Sequence, residues 1–191
     1  MQQRAIRAWG LRFRRDYANN LKRRRPKSGD KWFLDEVFIR IRGKQQYLWW
    51  AIDQNGMVLD ILVQSRRNTK AAKRFFRKLL KGLCYAPRVL VTDKLKSYAA
   101  AKKDLTLGGK HRQSRYLNNI CEVSHQPMRR RERHMKRLRS ARHAQRFLST
   151  HSSIHNHFQL SRHLISASEY RTTRARAFTS WWEATGIARV G

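Results

Sequence analysis

Acidic residues are scarce in this chain of 191 residues, with 12 Asp and Glu against 44 Lys and Arg and a formal net charge of +32. That balance excludes a protein built around neutral metabolites. It makes nucleic acid the default partner, ahead of an anionic membrane surface. Cysteine is rarer still: Cys84 and Cys121 give neither a disulfide framework nor a Cys-x-x-Cys zinc pattern, and both read as plain thiols. No apolar run approaches the ~20 residues of a membrane span, and the amino terminus is basic without an apolar signal region. A soluble, cytoplasmic protein with no membrane partner is expected. The histidines His151, His155, His157 and His163 lack a His-Glu-x-x-His pattern, so a zinc reading is set aside.

What remains is enough for a fold. A hydrophobic fraction of 40% with 6 Trp, 8 Phe and 6 Tyr argues for a packed core, because disordered basic tails are poor in aromatic and β-branched residues. The length suits one domain with a sizeable core and small appendages. Residues 1–31 are basic and run through Arg23, Arg24, Arg25 and Pro26 into a linker that attracts phosphate.

From Trp32 the pattern turns to strands: Trp32–Ile41, Gln46–Ile52 and Met57–Val63 form an antiparallel meander, with a turn at Gly43 and an Asn55-Gly56 hairpin signal. Ala72, Phe75, Phe76, Leu79, Leu80 and Leu83 then recur at helical spacing, capped by Asn68 or Thr69 and ending near Gly82. Val89–Thr92 is a short apolar strand. A helix intervenes, so it should run parallel to an earlier strand through a right-handed crossover. A short helix through Tyr98–Lys103, a Gly108-Gly109 loop, a strand candidate at His111–Tyr116 and a helix carrying Glu122 follow. Beyond them lies a dense basic stretch with Arg129, Arg130, Arg131 and Arg133, expected to be one or two basic helices.

Against this scarcity of acids, three carboxylates stand where their surroundings do not favour them. Period-2 geometry puts Asp35 on a face with Phe33, Val37, Ile39 and Ile41. A carboxylate there costs several kcal/mol unless a cation or hydrogen-bond donors meet it. Pairing with an Arg or Lys would also answer that need. Asp93 ends the strand Val89–Thr92, where open α/β sheets place ligands, although it could serve as an N-cap for 94–101. Glu122 follows Asn118 and Asn119, either of which can cap its helix. By itself it reads as an ordinary first-turn Glu.

The order strand, strand, strand, helix, strand, helix, strand, helix, with these acids on the first strand, at the end of the fourth and on a late helix, is an α/β, ribonuclease-H-like layout: a mixed sheet flanked by helices. The blocks Leu34-Asp35-Glu36-Val37-Phe38-Ile39-Arg40, Ser65-Arg66-Arg67-Asn68-Thr69, Val91-Thr92-Asp93-Lys94, His111-Arg112-Gln113 and Asn118-Asn119-x-x-Glu122-x-x-His125 resemble DDE transposases of bacterial insertion sequences, in particular the replicative, cointegrate-forming group.

The resemblance implies an integrase-type catalytic core over 32–150, a helical extension over 151–191, and a remnant of a helix-turn-helix with its linker over 1–31. It also implies Asp35, Asp93 and Glu122 as catalytic residues holding two Mg²⁺ or Mn²⁺ ions, in a chain that cleaves and transfers DNA strands. Its partners would be element ends, target DNA and further copies of itself. Expected DNA contacts are Arg23, Arg24, Arg25, Arg66, Arg67, Lys94, His125, Arg129, Arg130, Arg131 and Arg133. The competing expectations are a catalytically degenerate transposase fragment that only binds DNA, and a basic nucleic-acid-binding protein without catalysis.

Overall fold

The computed structural model describes residues 17–21, 23, 28–127, 129–130, 138–159 and 165–185. Arg24, Arg25, Arg131 and Arg133 lie outside the described residues, as does most of the basic stretch after Pro127. The chain forms two compact units, Ser28–Ser149 and a second made of Met1–Lys27 with Thr150–Gly191.

The first unit is built on five strands: β1 Lys31–Ile41, β2 Lys44–Asp53, β3 Val58–Gln64, β4 Val89–Thr92 and β5 Lys110–Gln113. Their spatial order is β3-β2-β1-β4-β5. β1, β2 and β3 pair antiparallel, whereas β4 runs parallel to β1 and β5 parallel to β4. This is the ribonuclease-H-like mixed sheet that the order of elements predicts. Helices α1 Thr69–Leu83, α2 Lys96–Asp104, α3 Asn119–Ser124 and α4 Ala141–Phe158 complete it, the last lending its first half to this unit.

Alternation along β1 sorts its side chains between two cores, as a pleated strand must. Phe33, Val37, Ile39 and Ile41 pack with Trp50, Cys121, Leu138, Ala144 and Leu148 on one face. Trp32 and Leu34 pack with Trp49 of β2 and with Phe75, Phe76, Leu79, Tyr98 and Ala101 from α1 and α2 on the other. The α1 stripe is the one read from helical spacing, and of the two candidate caps Asn68 takes the role, its side chain accepting from the Ala71 amide at 3.0 Å. The helix ends at Leu83, beside the expected stop near Gly82, with Cys84 in left-handed conformation as its C-cap. The strand candidate at His111–Tyr116 shortens to Lys110–Gln113, because pairing with β4 ends at Thr92.

The turn expected at Gly43 forms, whereas the Asn55-Gly56 signal does not give a tight turn. Arg42 and Gly43 both adopt positive φ, 52° and 76°, and close the tight β1–β2 hairpin, the geometry that primed two-residue turns require. The Asn55-Gly56 signal instead lies in a wider loop in which Gly56 alone has positive φ. Asp53, 1% exposed, organises that loop: its carboxylate accepts from the amides of Gly29, Asn55 and Met57 at 3.0, 2.9 and 3.0 Å. Gly109, at φ +79°, passes so close to the Pro87 and Arg88 carbonyls that a Cβ would meet them at 2.5 and 2.7 Å. That approach lets β5 join β4.

In the second unit, α5 Ala167–Thr185 and the end of α4 bring together aromatic rings. Phe158 lies 5.1 Å from Phe178 and 5.5 Å from Trp181, centroid to centroid. His157 Nε2 lies 2.7 Å from the Ala177 carbonyl oxygen and donates to it. Among the described residues no helix is long and apolar enough to cross a membrane.

Candidate metal centre

The parallel pairing of β1 with β4 ends at Leu34 opposite Thr92. The next residue along each chain segment is an acid: Asp35 within β1 and Asp93 just past the end of β4. Register alone therefore sets them side by side where the strands part. Oxygens of Asp35, Glu36 and Asp93 all lie within 4.8 Å of one another. Glu122 is exposed on α3 and stands outside that group.

Glu36 is the acid that sequence reasoning passed over, although it faces the Trp32 and Leu34 side and is as misplaced among apolar neighbours as Asp35. It is 8% exposed. Arg67 Nε donates to its Oε1 at 2.5 Å and the Tyr98 hydroxyl to its Oε2 at 2.8 Å. Burial nevertheless pushes its carboxyl up to about 7; the Tyr98 hydrogen bond and the Arg67 charge pull down, while Asp93 and Asp35 push further up. Burial and the neighbouring Glu36 charge drive the Tyr98 hydroxyl well above its ordinary value.

Arg67 comes from the loop before α1. With a third of its side chain exposed, it bridges Glu36 and Asp93, its Nη2 lying 3.6 Å from Asp93 Oδ2. It thus supplies positive charge inside the acidic group. Asp93 Oδ1 accepts from the Leu95 amide at 2.9 Å, a local turn that steers the chain toward α2, whose N-cap position is held by Leu95.

His125 closes α3 and is 6% exposed, its Nε2 lying 3.3 Å from Asp35 Oδ2. Its Nδ1 is buried without a partner. Asn118, one of the two expected caps, makes no side-chain cap bond; it turns inward and donates to the Leu34 carbonyl at 2.9 Å. The Cys121 thiol reaches the Phe33 carbonyl at 3.5 Å, and burial raises its pKa well above the ordinary thiol value. On the outer surface Arg66, Lys94, Arg129 and Arg130 are exposed, and Arg23 is exposed in the second unit.

The arrangement can bind a hard cation. Carboxylate oxygens are the donors that Mg²⁺ and Mn²⁺ prefer, and the exposed cations nearby can hold a phosphate backbone.

The IS240-type DDE domain matches residues 29–161. The chain is 32% identical over 126 residues to the transposase for insertion sequence element IS257 in transposon Tn4003 of Staphylococcus aureus, covering 63% of this chain and 56% of that protein. The IS431mec transposase of Staphylococcus aureus strain Mu50 matches to the same degree. The chain therefore spans about half the length of these curated relatives. Among solved structures, the magnesium complex of the HTLV-2 integrase catalytic core domain in trimeric form aligns at a TM-score of 0.47 and 12% identity, over 71% of this chain and 90% of that one. From the match over most of its length, the chain belongs to the DDE domain family of the IS240 type.

Proposed function

We propose that this chain is the catalytic part of an insertion-sequence transposase that cleaves DNA and joins the freed strand to a target, with Asp35, Asp93 and Glu122 holding two Mg²⁺ or Mn²⁺ ions. The observation that carries the reading is the pairing of Asp35 and Asp93 at the parting of two parallel strands, in a chain of net charge +32. When bound, two such cations activate a water or a 3′-hydroxyl on one side of a phosphodiester and stabilise the leaving oxygen on the other.

The chain's own residues do the rest. Asp35 on β1 and Asp93 just past the end of β4 hold the ions. Arg67 sets a positive charge beside Asp93, 3.6 Å from its carboxylate. Arg66, Lys94, Arg129 and Arg130 grip phosphates of element ends and target. Cutting and joining two ends at one target calls for more than one copy, so the working form is a homo-oligomer on DNA, in the cytoplasm. The test is protection by Mg²⁺ or Mn²⁺ against thermal unfolding, which Asp35→Asn should abolish.

A second reading, DNA binding without chemistry, draws on the position of Glu122, which is exposed between the exposed apolar side chains Ile120 and Val123 and outside the acidic group. Metal-independent stability together with tight DNA binding would favour it.

A further inference from the structure

Three side chains on the inner face of α3 and its ends reach three consecutive residues of β1. Cys121 contacts the Phe33 carbonyl, Asn118 the Leu34 carbonyl and His125 the Asp35 carboxylate. Spacings of three and four residues put them on one helical face. The Leu34 carbonyl is free to be met in this way because the pairing of β1 with β4 ends at Leu34. Trp50 adds a fourth tie, donating from Nε1 to the Ser124 hydroxyl at 2.8 Å.

The first two contacts dock a helix on a strand and need no other explanation. The third ends on a carboxylate of the candidate metal centre. His125 is 6% exposed and its Nδ1 has no partner, so the proton is best placed on Nε2, where Asp35 can accept it. A buried ring at that depth has no open path to a DNA phosphate.

The geometry points to His125 as the positioning residue for Asp35, rather than a DNA contact. It fixes the rotation of the Asp35 carboxylate by one donated hydrogen bond, and it locks the end of the helix that carries Glu122 to the strand that carries Asp35. This assignment rests on Asp35 being a metal ligand, as proposed above. Residues that orient metal-binding carboxylates in this way commonly govern affinity for the ion while touching neither ion nor substrate.

The test is Mn²⁺ binding to the full chain without DNA, followed by electron paramagnetic resonance, beside duplex binding across a salt series. His125→Ala should weaken Mn²⁺ binding by about 10–100-fold and leave DNA affinity and its salt slope unchanged. His125→Gln, which returns a donor near the Nε2 position, should recover most of the loss. His125→Leu fills the buried volume without a donor and should behave like His125→Ala, which keeps the test readable if the alanine variant folds poorly. Wild-type Mn²⁺ affinity in the leucine variant, or a loss of DNA affinity with metal binding intact, would overturn the assignment. Asp35→Asn separates the two claims: if it weakens Mn²⁺ binding and the His125 variants do not, only the positioning role fails. If Asp35→Asn leaves Mn²⁺ binding unchanged, the metal reading and the positioning role fall together.

Discussion

The side-chain amide of Asn118 donates to the carbonyl of Leu34 at 2.9 Å, across 84 positions of sequence. That carbonyl belongs to the last residue of β1 that pairs with β4. Asn118 therefore takes over where the sheet stops, and it does so beside the acid that follows. Replacing Asn118 with Ala should leave a buried carbonyl without a partner and cost about 1–3 kcal/mol, measured by urea unfolding. Asn118→Asp should cost more, because it sets oxygen against oxygen.

Glu36 makes stability depend on pH in a defined direction. Its carboxyl is raised in the folded chain to about 7 from an ordinary 4.5, so the folded state holds the proton more tightly than the unfolded one. The stabilisation is fully present below about pH 4.5 and is lost as pH rises through about 7. Metal-free protein should lose roughly 2–3 kcal/mol between those limits, seen as a fall in the urea midpoint. Glu36→Gln should flatten that fall.

Arg67 answers the charge that Glu36 keeps at neutral pH. Removing one partner of a buried pair is costly because the other charge is stranded. Since a third of the Arg67 side chain is exposed, Arg67→Ala should cost about 1–3 kcal/mol, less than a fully buried pair. The loss should shrink at pH 5, where Glu36 is mostly protonated. A loss of equal size at both pH values would mean that packing against Phe38, 5.9 Å away, matters more than charge.

Gly109 allows β5 to form. Gly109→Ala meets both a positive φ, which costs roughly 1–2 kcal/mol for an L-residue, and two backbone carbonyls closer than 3 Å. It should destabilise the chain by more than the φ term alone and increase hydrogen exchange at the amides of Lys110 and Arg112, which follow it in β5.

Much of the sheet was legible because its strands alternate and its turns are polar, and Asp35 and Asp93 stand out in the sequence as an acid on the apolar face of one strand and an acid at the end of another. The limits are equally physical. Asn55-Gly56 carries the stronger tight-turn signal, yet the primed turn forms at Arg42-Gly43, because the register of β1 with β2 leaves two residues to close there. Asn118 reads as a helix cap when only local sequence is considered, and His125 enters the reading only through the resemblance, as an expected DNA contact. Their partners Leu34 and Asp35 lie 84 and 90 positions away, and no local pattern encodes that. Glu36 was overshadowed by its neighbour. An acid on the Trp32 and Leu34 face was the signal that could have found it.

DNA binding should weaken steeply with salt. Each phosphate neutralised contributes about −0.9 to the slope of log affinity against log salt on duplex DNA. Arg129→Gln and Arg130→Gln, at exposed positions just past α3, should each reduce the slope by about that amount. A flat salt response in the parent chain would count against DNA as the partner.

The most direct measurement is strand transfer of a pre-cleaved insertion-sequence-end oligonucleotide into plasmid DNA, with Mg²⁺ or Mn²⁺, comparing the parent chain with Asp93→Asn. The expected result is joined product that requires both the metal and Asp93. Product that persists in Asp93→Asn, or none from a folded chain that binds DNA, would contradict a catalytic centre at Asp35 and Asp93.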